Sequence, residues 1–214
     1  MVEAHAFRAK VYSSLGIDLP PVQHPDGAQG LPRNVTLLDR QRSEPRHITK
    51  VDDTLNMIRK YGMEPNHVIV KFENTFEEQV RLMASTGVFI SVHGAGLMNE
   101  IFMRPGSVVI EIFPNHMKHI LYERIAGYAG LYHFKVFANE HPGDLHEKHP
   151  DYDQHKCEGV RSLDLPGRPD CWRVVKNVVV VVPLRDLEVA FSSALDFLDR
   201  TPLLPVAAPT DTKT

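Results

Sequence analysis

The run Val88-Phe89-Ile90-Ser91-Val92-His93-Gly94-Ala95-Gly96-Leu97-Met98-Asn99, continued by Glu100-Ile101-Phe102-Met103, limits what this chain can fold into more than any other stretch. It opens apolar and rich in β-branched and aromatic residues, which suits a buried strand, and two closely spaced glycines then break it ahead of an apolar helical turn. The predicted local structure is strand, tight turn, helix. Such a corner leaves the first helical N–H groups without partners and aims them, with the positive end of the helix dipole, at the crevice beyond the strand's carboxyl end. A diphosphate fits there. Gly94 and Gly96 permit a sharp turn and the close approach of a ligand, and His93 at the rim can donate a proton or a hydrogen bond to phosphate oxygen. Two glycines alone more often mark a plain strand-to-helix corner with a satisfied histidine, so both readings stand at this point.

With 214 residues, 43% hydrophobic and 24% charged, the chain is long enough for one domain with a sizeable core. A formal charge of −3 provides no basic face for non-specific nucleic-acid binding, and no apolar run reaches the ~18 residues of a membrane span. Residues 1 to 15 are charged throughout and lack an apolar core, so they do not resemble a secretory signal. Cys157 and Cys171, the two cysteines, suit one loop-closing disulfide in an oxidising compartment or two reduced thiols in a reducing one.

Taken in order, residues 2 to 15 predict a short amphipathic helix stopped by Gly16, and a Pro/Gly-rich linker leads to a strand at Val35 to Leu38. The charged stretch Asp39 to Arg46 follows at that strand's carboxyl end, where its arginines either reach the crevice or form a solvated turn. A helix over Val51 to Tyr61 and a strand over Val68 to Phe72 come next. Thr75 and Glu78 predict a capping box, with Phe76, Val80 and Met83 turned to the core. Beyond Pro105-Gly106 lie a strand at Val108 to Phe113, a helix at Tyr122 to Ala129, a strand at His133 to Phe137 and a helix at Leu184 to Leu198. Short strands alternating with helices predict an α/β fold, a Rossmann-like parallel sheet with helices on both faces. The expected organisation is an N-terminal helix and linker over 1–34, the Rossmann-like domain over 35–200 with a polar insertion at 138–172, and a disordered tail at 201–214.

Glu111, on the strand after the glycine turn, is placed either to accept hydrogen bonds from a ribose or to cap a helix or pair with an arginine. Asn99, in the first helical turn, either binds a ligand's polar edge or satisfies backbone. The insertion's His141, His146, His149, His155 and Cys157 lack the i, i+4 or C-x-x-C spacing that presets ligand geometry, so no metal site is expected.

The run Ser91 to Asn99, then Phe102-Met103, Pro105-Gly106 and Val109-Ile110-Glu111-Ile112-Phe113-Pro114, resembles the signature region of glycosyltransferase family 61. Leu37-Leu38-Asp39-Arg40, Arg46-His47-Ile48 and Phe76-Glu77-Glu78-Gln79 resemble it too, so that the likeness extends over residues 35 to 137. The resemblance implies an inverting transferase of the B-type fold, with this chain corresponding to the C-terminal, donor-binding domain. The implied donor is a UDP-sugar, such as UDP-GlcNAc or UDP-xylose, and the acceptor a protein or polysaccharide hydroxyl in the Golgi or endoplasmic reticulum lumen. It makes Arg40 and Arg46 diphosphate ligands, His93 a catalytic residue, and His93, Gly94, Ala95, Gly96, Leu97, Asn99 and Glu111 further donor contacts. No metal or other cofactor is implied, because basic residues and the helix N-terminus stabilise the departing UDP.

Met98 stands where the family commonly has threonine and Lys50 where it commonly has asparagine. The family's N-terminal, acceptor-binding half has no counterpart in these residues. The expectation is therefore a donor half that binds UDP-sugar and needs an acceptor half to glycosylate anything. The competing expectations are a non-catalytic nucleotide-sugar-binding domain and, more weakly, an NAD-dependent oxidoreductase, which would want a third glycine in the turn.

Overall fold

Strands buried at every position, as Thr86–Val92 and Val108–Phe113 are, have to be covered on both faces, and the chain meets that demand with helices. The computed structural model describes residues 2–18, 22–23, 29–41, 44–70, 75–114, 117–139 and 178–200. In chain order these form α1 (Val2–Ser14), β1 (Val22–Gln23), β2 (Gln29–Gly30), β3 (Asn34–Arg40), α2 (Val51–Arg59), β4 (Asn66–Val70) and α3 (Phe76–Ala84). There follow β5 (Thr86–Val92), a 3-10 helix (Ala95–Phe102), β6 (Val108–Phe113), α4 (Leu121–Ala129), β7 (Tyr132–Phe137) and α5 (Leu184–Arg200). Strands β1 and β2 form a small antiparallel pair, and the other five form one parallel sheet in the order β4-β3-β5-β6-β7. The expected α/β, Rossmann-like architecture is the one observed.

Period-2 alternation sorts the strand residues between two cores. Val35, Leu37, Val88, Ile90, Val108, Ile110 and Ile112 face α2 and α5, where Leu55, Ile58, Leu187 and Phe191 meet them. Leu38, Phe89 and Val109 face α3, α4 and the 3-10 helix, and pack with Val80, Met83, Leu97 and Ala126. Parallel register keeps neighbouring side chains level, so the second face is ruled into rows. Phe89, Val109 and His133 share one row, and Ser91, Glu111 and Lys135 share the next. The polar row Ser91, Glu111, Lys135, with His133 one row before it, breaks an otherwise apolar face and positions the site.

Helix α3 starts as expected, with the Thr75 hydroxyl accepting from the Glu78 N–H and the Glu78 carboxylate accepting from the Thr75 N–H. Phe76 departs from expectation. It is 54% exposed and lies edge-on to Phe102 at 5.5 Å, while Val80 and Met83 are buried as the helical spacing requires. The amphipathic reading of α1 is also corrected, since the residue it buries is Arg8 and its Phe7 is exposed. The Arg8 guanidinium donates to the carbonyls of Met103 at 2.6 Å and of Ala129 at 3.1 and 3.2 Å, closing the ends of the 3-10 helix and of α4. Cations are favoured at helix C-termini, where carbonyls lack intrahelical partners. The Tyr12 hydroxyl donates to the Phe102 carbonyl beside it. Periodicity cannot show an attachment of this kind, because it rests on polar groups at two helix ends.

Lys50, one of the two positions that depart from the family pattern, occupies the N-cap of α2 and makes no side-chain cap hydrogen bond. Asparagine there would accept from a free N–H and remove a positive charge from the positive end of the helix. The expected insertion beyond Asn139, its histidines, Cys157, Cys171 and the tail at 201–214 lie outside the described residues. Lys50→Asn is expected to raise stability by about 1 kcal/mol, whereas Arg8→Leu, which strips partners from buried carbonyls, should lower it by about 2–3 kcal/mol. Urea unfolding of both variants checks the pair, and an unchanged midpoint for Arg8→Leu would show that α1 is not held by its arginine.

Candidate functional site

Strand order reverses between β3 and β5, because the chain leaves β3 for β4 on one side and returns to β5 on the other. The carboxyl ends of such a strand pair flank the crevice in which doubly wound sheets hold ligands. Here a small cleft is lined by Leu38, Arg40, Ser91, Val92, Gly94 and Gly96.

Asp39 shapes the loop that leaves β3. It is buried, and its Oδ1 accepts from the N–H of Arg40 at 2.7 Å and of Ile48 at 3.0 Å, drawing the two ends of the loop together. Arg46 sits within that loop at φ 66°, a left-handed conformation that few non-glycine residues adopt. Its N–H donates to the Val178 carbonyl at 2.8 Å, and next to it Val180 N–H donates to His47 at 2.9 Å. The Arg46 Nη1 donates to the His93 carbonyl at 2.8 Å.

These contacts bring both arginines over the glycine turn. A Cβ on Gly94 would lie 3.0 Å from Arg40 Nη2 and 3.4 Å from Arg46 Nη1, so the missing side chain is what leaves the guanidinium groups their place. Burial and the neighbouring Arg40 charge bring Arg46 down to about 10, still cationic at neutral pH. Among the described residues no carboxylate forms an ion pair with either arginine, and Arg46 Nε is buried without a partner. Two like charges held together without a counter-ion make a strong local preference for an anion.

Behind the arginines lies a buried carboxylate. Glu111 is 0% exposed; its Oε1 bonds to His93 Nδ1 and its Oε2 to His133 Nε2 at 2.8 Å. Burial alone would raise its pKa, yet the hydrogen bonds from His133 and His93 outweigh burial and hold it below the usual carboxylate range. The ring of His93 is packed by Phe113 at 5.4 Å, His119 at 5.1 Å and Tyr122 at 5.1 Å. With Nδ1 engaged, Nε2 is the His93 nitrogen left without a partner among the described residues. Glu100 is equally buried, but neither of its oxygens has a partner among the described residues. Burial, with the Glu111 charge adding to it, pushes Glu100 up to about 9.

Arg40, Arg46, His93 and Gly94 are thus brought together as expected. Gly96 lines the cleft beside Gly94, whereas Glu111, Leu97 and Asn99 are placed otherwise. Glu111 offers no surface to a ribose and instead orients His93. Leu97 is a core side chain whose N–H is taken by the Gly94 carbonyl at 3.0 Å. The Asn99 amide donates to the Gly96 carbonyl at 3.3 Å, which is the backbone-satisfying alternative. Gly96 is needed for packing, since a Cβ there would stand 2.4 Å from Leu38 Cδ2. Ala95 is exposed at the start of the helix, which is 3-10 rather than α. His133 and Glu100 were missed by sequence reasoning; the available signal was a carboxylate inside an apolar strand, which requires a partner on the adjoining strand.

Fold and crevice together define a doubly wound α/β domain with two arginines converging on a cleft at its switch point. Residues 7–110 match the family model of Glycosyltransferase 61, and the resemblance to that family is thereby shown. The chain is 32% identical over 62 residues to protein O-linked-mannose beta-1,4-N-acetylglucosaminyltransferase 2 of Tetraodon nigroviridis, covering 28% of this chain and 11% of that protein. It is 27% identical over 144 residues to xylan glycosyltransferase MUCI21 of Arabidopsis thaliana, covering 64% of this chain and 27% of that protein. The matched segments therefore span about a quarter or less of the length of these relatives.

Glu100→Gln is expected to stabilise the protein at neutral pH. A carboxyl with a raised folded pKa leaves the unfolded state holding fewer protons between about 4.5 and 9, so stability falls as pH rises through that window. The substitution should gain up to about 3 kcal/mol at pH 7 and almost nothing at pH 4. Denaturation across pH 4 to 8 tests this, and a gain independent of pH would show that Glu100 is charged in the folded protein.

Proposed function

We propose that this chain is the donor-binding part of an inverting glycosyltransferase that takes a sugar such as GlcNAc or xylose from a UDP-sugar to a protein or polysaccharide hydroxyl. The observation that carries the reading is the convergence of Arg40 and Arg46 over Gly94 at the switch point, without a counter-ion among the described residues. Two guanidinium groups bind diphosphate oxygens bidentately, and they stabilise the charge that grows on UDP as its bond to the anomeric carbon breaks. The family match and the names of the relatives support glycosyl transfer as the reaction class. In this reading His93, oriented through Nδ1 by Glu111, presents Nε2 as a donor to the leaving phosphate. The arginines and the crevice supply the cationic stabilisation that a metal provides in other transferases. In this reading the reaction takes place in the Golgi or endoplasmic reticulum lumen, an expectation that rests on the family resemblance; among the described residues no helix is long and apolar enough to cross a membrane.

Inversion requires the acceptor oxygen to attack opposite UDP while a base takes its proton. Asp39, Glu100 and Glu111, the carboxylates nearest the crevice, are all buried and committed or protonated. That favours a second reading in which this chain binds the donor and another part of the protein supplies base and acceptor site.

Arg40→Ala and Arg46→Ala are each expected to weaken UDP binding by about 1–3 kcal/mol, with UMP less affected because it lacks the second phosphate. Calorimetry with UDP, UMP and NAD tests the reading. Folded variants that bind UDP as the parent does, or a parent that binds NAD and ignores UDP, would reject it.

A further inference from the structure

Parallel register arranges one more row on the face that carries the site. Phe113 and Phe137 are register partners at the last positions of β6 and β7, and the His93 N–H, just beyond β5, donates to Ile112 at 2.8 Å. Leu38 pairs with Ser91, so two residues further on Arg40 stands level with His93. Across the sheet's carboxyl edge the row therefore reads Arg40, His93, Phe113, Phe137. Its three rings stack face to face. His93 and Phe113 lie 5.4 Å apart at 26°, and Phe113 and Phe137 lie 5.4 Å apart at 25°.

Exposure changes along this row. His93 and Phe113 are buried and form a floor, whereas Phe137 is 47% exposed. A large apolar ring left half in water at the ligand end of a sheet, stacked against the buried ring of its register partner, is preorganised to stack on something planar. Strands lie about 4.8 Å apart, so Phe137 on β7 sits roughly 10 Å from the turn after β5. That is the reach of a nucleoside diphosphate between its phosphates and its base.

We propose that Phe137 is the stacking platform for the nucleobase of the donor, with Phe113 as its buried support. The proposal rests on the nucleotide-sugar reading above and adds the direction in which the nucleotide lies, phosphates over Gly94 at the arginine end and base at the β7 edge. An aromatic face accepts any base, so Phe137 supplies affinity without choosing uracil over a purine. Half exposed as it is, Phe137 can be replaced with little effect on the core.

The test compares UDP with inorganic pyrophosphate, which has no base, by calorimetry. Phe137→Ala and Phe137→Leu should each weaken UDP binding roughly tenfold and leave pyrophosphate binding unchanged, and Phe137→Trp should restore UDP binding. Arg40→Ala should weaken both ligands. UDP binding unaffected in Phe137→Ala while Arg40→Ala weakens both would overturn the platform and leave the arginine site standing. So would equal losses for UDP and pyrophosphate, or full affinity in Phe137→Leu. A parent that binds neither ligand would overturn this proposal together with the reading it rests on.

Discussion

A carboxylate fully enclosed in a parallel sheet must be compensated, and the way Glu111 is compensated sets the geometry of the crevice. Removing an ionised carboxylate from water costs several kcal/mol even after relaxation. Two hydrogen bonds from histidines on β7 and beyond β5 offset that cost. Both lie diagonally from Glu111, one row down and one row up, so the anion ties β6 to the start of β7 and to the turn that follows β5. It fixes the His93 ring, and the His93 carbonyl in turn receives the Arg46 guanidinium. Glu100, at the same depth without such donors, is held as the neutral acid. Two carboxyl groups on adjoining elements are thus set in opposite states by their hydrogen bonds, not by their burial, which is equal.

The loop after β3 illustrates the other half of the construction. A left-handed Arg46 costs on the order of 1 kcal/mol or more, and it persists because the surroundings over-determine it. The Asp39 carboxylate draws the loop ends together, and residues 178 to 180 pair with residues 46 to 49 by main-chain hydrogen bonds. A segment from near the C-terminal helix therefore holds an arginine that belongs to the first βα connection. The repulsion between Arg40 and Arg46 is built in before any ligand arrives, so an anion entering the site meets charges already oriented toward it.

Features that depend on local pattern were legible in the chain. The capping box at Thr75, the glycine break after Val92 and the apolar runs of β5 and β6 each carry their reason within a few residues. Strand order carries no such local mark. Neither the meeting of Arg40 with His93 nor that of Glu111 with His133 can be read before it is known that β3 flanks β5 and β7 flanks β6. Helix α1 forms where the sequence predicts it, but its attachment is hidden for the same reason, because Arg8 acts on carbonyls that chain order places about a hundred residues away. Lys50 could be noticed only as a departure from a family pattern; its position at a helix N-cap makes the departure a matter of helix stability.

Strand direction explains why one edge gathers this chemistry. In an antiparallel sheet, successive strand ends alternate between the two edges, and residues that follow them are dispersed. Here all five strands leave through the same edge, so their ends are brought to within about one residue of level in an order set by topology alone. The row obtained that way is graded from a cation at β3, through a histidine at β5, to apolar rings at β6 and β7. The proposed donor, lying along it, presents the same grading, with negative charge at one end and a flat ring at the other. Exchanging the order of two strands while keeping every residue would destroy that row, so the layout of the crevice rests on the sheet's connectivity as much as on any single side chain.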